Sequence, residues 1–149
     1  MEPTSASPRD APCAWGRFRV LVVEDELLIR LMLSEELRDA GFDIIEAFNA
    51  DEAVVVLSSM TPDLIITDVR MPGSLDGVGL LALIRETSPT LPVIITSAHM
   101  QPTIAISDGA TQFLAKPYAF ETVVNAVKNE LANLQRISIP APSQTLLQS

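Results

Sequence analysis

The sequence predicts one α/β domain built on a doubly wound sheet of five parallel strands, ordered 2-1-3-4-5, with helices on both faces. Five short apolar runs alternate with five helix-like stretches, which is the pattern of repeated strand–helix units. Polar residues follow most of the runs, at the edge where open α/β sheets bind ligands. The strand-like runs cover residues 18–23, 42–46, 63–68, 91–96 and 111–115. The helix-like stretches cover residues 26–40, 50–59, 78–86, 101–107 and 119–134.

The first strand runs directly into three carboxylates, Glu24, Asp25 and Glu26. Acids this close repel one another and require a cation, or they cap the next helix, and both roles stay open at this point. That helix stops at Gly41. Its first half carries extra apolar residues, which predicts that it is buried nearly all round or contacts a partner. These residues are Leu27, Leu28, Leu31 and Met32.

The second strand alternates apolar and acidic residues, as an edge or half-exposed strand does. Asn49 is placed to cap the helix after it. The third strand is apolar on both faces and ends at Asp68, where the chain breaks into a Pro/Gly turn. An Asp in this position is commonly a turn or helix-capping residue, so Asp68 alone does not establish a functional site.

The fourth strand finishes on Ser97, and the fifth runs into Lys116-Pro117. Strands one, three, four and five are neighbours in the predicted order, so Glu24, Asp25, Asp68, Ser97 and Lys116 converge on one cleft. Singly, Ser97 is equally a helix cap, and Lys116 a solvated lysine. Together they form a consistent site of three carboxylates, one cation and one hydroxyl.

These groups suit phosphoryl transfer. Carboxylates without a neighbouring His or Cys select a hard cation such as Mg²⁺, which leaves positions open for phosphoryl oxygens. An Asp carboxylate such as Asp68 acts as a nucleophile that forms an aspartyl-phosphate. Lys116 supplies a compact positive charge, and the Ser97 hydroxyl can hydrogen-bond a phosphoryl oxygen.

Composition and charge limit the classes of protein to which the chain can belong. The 149 residues are 48% hydrophobic, and the net charge of −9 argues against a nucleic-acid surface. The single cysteine, Cys13, forms no internal disulfide, and neither a membrane span nor a signal peptide is present in the sequence. A cytoplasmic location follows, with a disordered arm at residues 1–17, a domain at 18–135 and a flexible tail at 136–149.

Five ordered motifs make the chain resemble the receiver domain of two-component response regulators, which has a flavodoxin-like fold. The resemblance covers about residues 18–135. The motifs are Val22–Asp25, Ile66–Pro72, Asp76-Gly77, Ile95–Ala98 and Phe113–Pro117.

The resemblance implies a role for each residue of the metal site. Glu24 and Asp25 correspond to the acidic pair that binds Mg²⁺, for which Mn²⁺ substitutes. Asp68 corresponds to the phosphoacceptor and a third metal ligand. Arg70 would give its backbone carbonyl to the metal.

The remaining roles concern catalysis and switching. The resemblance makes Lys116 and Ser97 catalytic, and makes Ser97 and Phe113 the switch pair, in which the aromatic turns inward once Ser97 is drawn to the phosphoryl group. Phe113 as an ordinary core aromatic is the alternative. The resemblance also implies a cis peptide bond between Lys116 and Pro117.

Three features depart from the family pattern. The turn before Asp76 has one extra residue, which is expected to alter only the loop. The segment 99–109 is short and contains Pro102, so a standard dimer geometry is not transferable. His99 is either an exposed histidine without a role or a side chain that modulates dephosphorylation.

The predicted function is therefore a single-domain response regulator, not an enzyme beyond self-phosphorylation and autodephosphorylation. Only 33 residues follow Lys116, too few for an output domain. The implied partners are a sensor histidine kinase or histidine phosphotransfer protein and an unidentified protein target, with no nucleic acid and no membrane. The protein is expected to be a monomer or a weak phosphorylation-dependent homodimer.

Three alternatives stay open. The first is a phosphorylation-independent adaptor. The second is an aspartyl-phosphate phosphatase, although Arg70 occupies the position where such enzymes carry a general-acid Asp. The third is a flavin-binding module, which would need a Ser/Thr/Gly-rich phosphate loop where this chain has Glu24, Asp25 and Glu26.

Overall fold

The computed structural model describes residues 18–71, 73, 75–99 and 102–138. Strands and helices alternate along this part of the chain. The strands are β1 (Arg19–Val23), β2 (Asp43–Ala47), β3 (Leu64–Asp68), β4 (Val93–Ser97) and β5 (Gln112–Ala115). The helices are α1 (Leu27–Asp39), α2 (Ala50–Ser59), α3 (Gly77–Thr87), α4 (Pro102–Ser107) and α5 (Phe120–Ser138).

The strands form one parallel sheet in the order β2-β1-β3-β4-β5, which confirms the predicted topology. The register pairs Val23 with Thr67 and Asp68 with Thr96. The carboxyl ends of β1, β3 and β4 therefore lie side by side. β2 is an edge strand, as its alternating sequence indicated.

Helices cover both faces of the sheet, as predicted. On one face, α1 and α5 contribute Leu37 and Val127 to a core that includes the side chains of Val22 and Ile66. On the other, α2, α3 and α4 pack over Leu21, Ile65 and Ile95; they contribute Ala53, Leu80, Leu81, Ile84 and Ala105. Each fully buried Leu or Ile contributes about 1.5–3 kcal/mol relative to an exposed one.

The predicted helix ends are largely confirmed. The Asn49 Oδ1 accepts the N–H of Glu52 at 2.7 Å and so caps α2. Gly41, the predicted stop of α1, has a φ of 104°, a conformation that glycine adopts at little cost. The Asp76 Oδ1 accepts the N–H of Gly79 at 2.9 Å and caps α3, a cap that was not predicted from the sequence.

Two expectations differ from the structure. The first half of α1 is not buried all round, since Leu28 is 71% exposed and three neighbouring apolar side chains are exposed too. The last helix ends at Ser138 rather than at Leu134, because no glycine or proline interrupts it before Pro140. The predicted arm at 1–17 and residues 139–149 of the predicted tail lie outside the described residues. Within the described chain, no helix is long and apolar enough to cross a bilayer.

Candidate functional site

Backbone hydrogen bonds hold the polar ends of the inner strands together. The N–H of Val69 donates to the carbonyl of Thr96 at 3.2 Å, just after Asp68 at the end of β3. The N–H of Lys116 donates to the carbonyl of Ser97 at 2.9 Å. The sheet itself therefore fixes Asp68, Ser97 and Lys116 at one edge, as the strand order predicted.

Asp68 is 8% exposed, and both of its carboxylate oxygens accept hydrogen bonds. The Oδ1 accepts the N–H of Val69 at 2.8 Å, and the Oδ2 accepts from the Lys116 Nζ at 3.0 Å. Helix α3 takes its cap from Asp76 instead. Asp68 is therefore not the cap of α3, and its carboxylate faces the site.

Glu24 is the more deeply buried carboxylate, at 2% exposed. Its Oε1 accepts from the Lys116 Nζ at 3.0 Å, and its Oε2 accepts the N–H of Glu26 at 3.2 Å. Burial raises the pKa of Glu24 above its ordinary value, although the hydrogen bond from Lys116 works in the opposite direction. Glu26, the N-cap residue of α1, makes no side-chain cap bond. Capping by the acidic run is thus limited to the contact from Glu24.

Lys116 bridges Glu24 and Asp68 and is not a solvated surface lysine. Burial by itself disfavours the ammonium form, but hydrogen bonds to both carboxylates outweigh it and raise the pKa of Lys116 well above its usual range. The side chain therefore carries a fixed positive charge between the two acids. The Lys116–Pro117 peptide bond is cis, as the resemblance implied.

The acidic residues fit a divalent cation. One oxygen from each of Glu24, Asp25 and Asp68 lies within 4.8 Å of the others, and Asp25 is exposed. Three carboxylates and one lysine leave two uncompensated negative charges, which a divalent ion neutralises. An all-oxygen set with an open, exposed side suits Mg²⁺, which retains several waters. Arg70 is exposed, and the metal contact of its carbonyl stays a prediction.

The predicted switch residues lie in two different settings. Ser97 is buried, and its Oγ accepts the N–H of His99 at 3.1 Å. His99 is exposed. Phe113 is half-buried in β5 and packs against the core cluster beneath α2–α4. This packing agrees with the core alternative, and the switching role of Phe113 stays a prediction.

Sequence patterns gave no role to two residues that border the site. Gly77 begins α3, and a Cβ at this position would overlap the carbonyl oxygen of Asp68. Tyr118 is half-buried next to Lys116, with its ring edge-on to Phe120 at a centroid distance of 6.0 Å. In the sequence, Gly77 and Tyr118 stand out only because they lie in or beside the Asp76-Gly77 and Lys116-Pro117 motifs. These motifs do not by themselves predict the two contacts.

The pKa of Tyr118 gives a prediction that one titration checks. Burial, then the charge of Glu24, raises the pKa of Tyr118 to about 12, against about 10 in an unfolded chain. Tyr118 is the only tyrosine in the chain, so phenolate absorbance reports it alone. The raised pKa stabilises the fold below about pH 10, and this contribution is lost as the pH rises towards the folded pKa. A midpoint near that of urea-unfolded protein would contradict the burial.

Comparison with known proteins gives matches over most of the chain. Residues 20–128 match the family model described as "Response regulator receiver domain". The DNA-binding transcriptional regulator NtrC of Salmonella typhimurium is 37% identical over 124 residues, which make up 81% of this chain and 26% of that protein. The NtrC of Proteus hauseri is 33% identical over 134 residues, 87% of this chain and 28% of that protein. The chain thus spans about a quarter of the length of these curated relatives.

Two solved structures match over nearly their whole length. The receiver domain of NtrX from Brucella abortus is 33% identical, with a TM-score of 0.71, and the match covers 76% of this chain and 98% of that one. The Vibrio cholerae chemotaxis protein CheY4 is 30% identical, with a TM-score of 0.69, and the match covers 75% of this chain and 97% of that one. These likenesses agree with the predicted fold.

Proposed function

The chain belongs to the response regulator receiver domain family, and from this premise we propose that it accepts a phosphoryl group on Asp68 from a sensor histidine kinase or a histidine phosphotransfer protein. One observation carries the choice of residue. The Asp68 carboxylate lies 3.0 Å from the Lys116 ammonium and within the acidic cluster that suits a divalent cation. The residue thus combines a carboxylate nucleophile with two sources of positive charge.

The proposed step is an in-line displacement on phosphorus. An Asp68 oxygen attacks the phosphorus of a phosphohistidine, the P–N bond breaks, and the imidazole nitrogen leaves with the electron pair and takes a proton from water. Glu24, Asp25 and Asp68 would hold Mg²⁺, which would neutralise charge on the phosphoryl oxygens. Lys116 adds a second cation at the same place, and Ser97 donates its hydroxyl to a phosphoryl oxygen. Hydrolysis of the acyl phosphate by water restores Asp68.

The exposed apolar face of α1 supports a protein donor. Leu27 and Leu28 are 56% and 71% exposed, and they directly follow the acidic loop that holds Glu24 and Asp25. A donor protein that presents phosphohistidine to Asp68 would cover this face. Such a contact would be the partner contact that the apolar residues of α1 predicted. Backbone resonances of residues 27–32 that stay unchanged when a phosphorylated histidine kinase is added would contradict the contact.

The signalling output is proposed to be a protein contact that depends on phosphorylation. Movement of Ser97 towards the phosphoryl group would be followed by Phe113 turning inward, which changes the surface around β4 and β5. The net charge of −9 over the whole chain favours a protein target over nucleic acid. Self-phosphorylation and autodephosphorylation would be its only chemistry. Because the proposed donors are histidine kinases and their relays, we place its action in the cytoplasm.

Removal of the metal tests the proposal. Acetyl phosphate with Mg²⁺ is expected to add one phosphoryl group, measured by intact mass. EDTA is expected to slow this labelling by at least about 100-fold, because the carboxylate cluster then repels the incoming phosphoryl oxygens. Mn²⁺ should restore it. Labelling at the same rate in EDTA would contradict a metal-dependent site, and a phosphoryl group mapped to another residue would contradict Asp68 as acceptor.

A further inference from the structure

Arg30 ties the acidic loop to the body of the domain. It lies in α1, one turn beyond the loop, and its side chain is largely buried, at 15% exposed. Its Nη1 donates to the backbone carbonyl of Glu24 at 2.9 Å. Its Nε donates to the Glu46 Oε1 on β2 at 3.2 Å. One guanidinium therefore joins the loop, α1 and the edge strand.

The Glu46 carboxylate holds a second arginine of the same helix. Its Oε2 accepts from the Arg38 Nη2 at 3.2 Å, two turns further along α1. The two ion pairs are matched in length and share one acid. They differ in two respects: the Arg30 side chain is 15% exposed and that of Arg38 is 45% exposed, and Arg30 also donates to the carbonyl of Glu24.

We infer that Arg30 is a positioning residue for the metal centre, an inference that rests on the proposed function. Helix α1 begins without a side-chain cap, so the loop that carries Glu24 and Asp25 lacks that support. The Arg30 hydrogen bond fixes the peptide between these two carboxylates. Groups in this outer layer commonly change metal affinity by about 10–100-fold.

The charge of Arg30 and its positioning role predict opposite changes in metal affinity when its side chain is removed. Arg30 is a cation close to the proposed metal site, so removing its charge would by itself strengthen metal binding. Its pairing with Glu46 neutralises most of that repulsion. If the hydrogen bond to Glu24 dominates, removing the side chain weakens metal binding instead.

The experiment compares Arg30→Met with Arg38→Met in the full chain. Binding of Mn²⁺ is followed by loss of the free-ion EPR signal, and folding by circular dichroism. Arg30→Met is expected to weaken Mn²⁺ binding by about tenfold. Arg38→Met should leave it within about twofold of wild type, because this variant loses an ion pair to the same Glu46 from an exposed arginine.

The outcomes separate this inference from the proposed function. Wild-type protein that fails to bind Mn²⁺ would contradict the metal site itself. Wild-type binding with equal affinities for the two variants, or tighter binding by Arg30→Met, would overturn the role of Arg30. Should Arg30→Met not fold, Arg30→Lys keeps the positive charge but lacks the planar fork that reaches Glu24 and Glu46 together. It is expected to weaken Mn²⁺ binding measurably, and an unchanged affinity would overturn the inference.

Discussion

Asp68→Asn is expected to reduce Mg²⁺-dependent labelling by acetyl phosphate to background. An amide is a poor nucleophile and a weaker metal ligand than a carboxylate, so both proposed roles are lost at once. The geometry adds a further cost. Both Asp68 oxygens accept hydrogen bonds, from Val69 and from Lys116, and an asparagine must turn its NH₂ towards one of these donors. The measurement is intact mass after acetyl phosphate treatment.

A matched control is Asp76→Asn. It makes the same chemical change at the N-cap of α3, and Asn caps a helix about as well as Asp does, so α3 keeps its cap to Gly79. Labelling of this variant should stay at the wild-type rate. Undiminished labelling of Asp68→Asn would contradict the assignment. Appreciable turnover of a generic phosphomonoester by wild-type protein would favour the phosphatase alternative instead.

Wild-type protein and Asp68→Asn also test the proposed signalling output. Wild-type protein treated with Mg²⁺ and beryllofluoride, a mimic of the phosphoryl group, should retain a partner that Asp68→Asn protein does not. Equal retention by both would favour the phosphorylation-independent adaptor.

The strand pattern predicted where the site would form because a parallel sheet allows few alternatives. Apolar runs define the strands, and the ordering of neighbouring strands brings Asp68 and Lys116 to one edge. The acidic cluster was predicted from the residue types and from their positions at the ends of strands alone. These inferences need no side-chain conformations.

The contacts of Arg30 and Gly77 were not predictable in this way. The bond from Arg30 to Glu24 depends on how α1 is rotated against β2, and helical periodicity specifies a face but not a partner. The approach of Gly77 to Asp68 depends on the path of a loop with one extra residue. The exposure of Leu28 likewise depends on what else covers α1.

Gly77→Ala is expected to have the second large effect, by moving the end of β3. Its Cβ would overlap the Asp68 carbonyl oxygen, and would lie 2.8 Å from the Val69 Cα and 2.9 Å from the Asp68 carbonyl carbon. These are backbone atoms, and the N–H of Gly77 is bonded to the Val69 carbonyl at 2.9 Å, so α3 cannot simply shift away. We expect a loss of about 3 kcal/mol in unfolding free energy, and a Tm lower by about 10 °C.

Gly79→Ala separates this close approach from the general effect of adding a methyl group to α3. Its Cβ would lie 2.5 Å from the Leu75 Cδ1, the end of a flexible side chain that can rotate away. Alanine also gains up to about 1 kcal/mol in helix propensity over glycine. Thermal unfolding should therefore place this variant within about 3 °C of wild type.

The two alanine variants also bear on catalysis, because the strand end that Gly77 abuts carries the proposed nucleophile. The Asp68 carbonyl accepts the Thr67 hydroxyl at 3.0 Å, so displacing it disturbs both sides of the residue. Folded Gly77→Ala protein should label with acetyl phosphate about tenfold or more slowly than wild type, since misplacement by about 1 Å costs up to about 10²-fold. Gly79→Ala should label normally. Equal Tm and labelling for the two variants would mean that α3 does not abut Asp68 in solution.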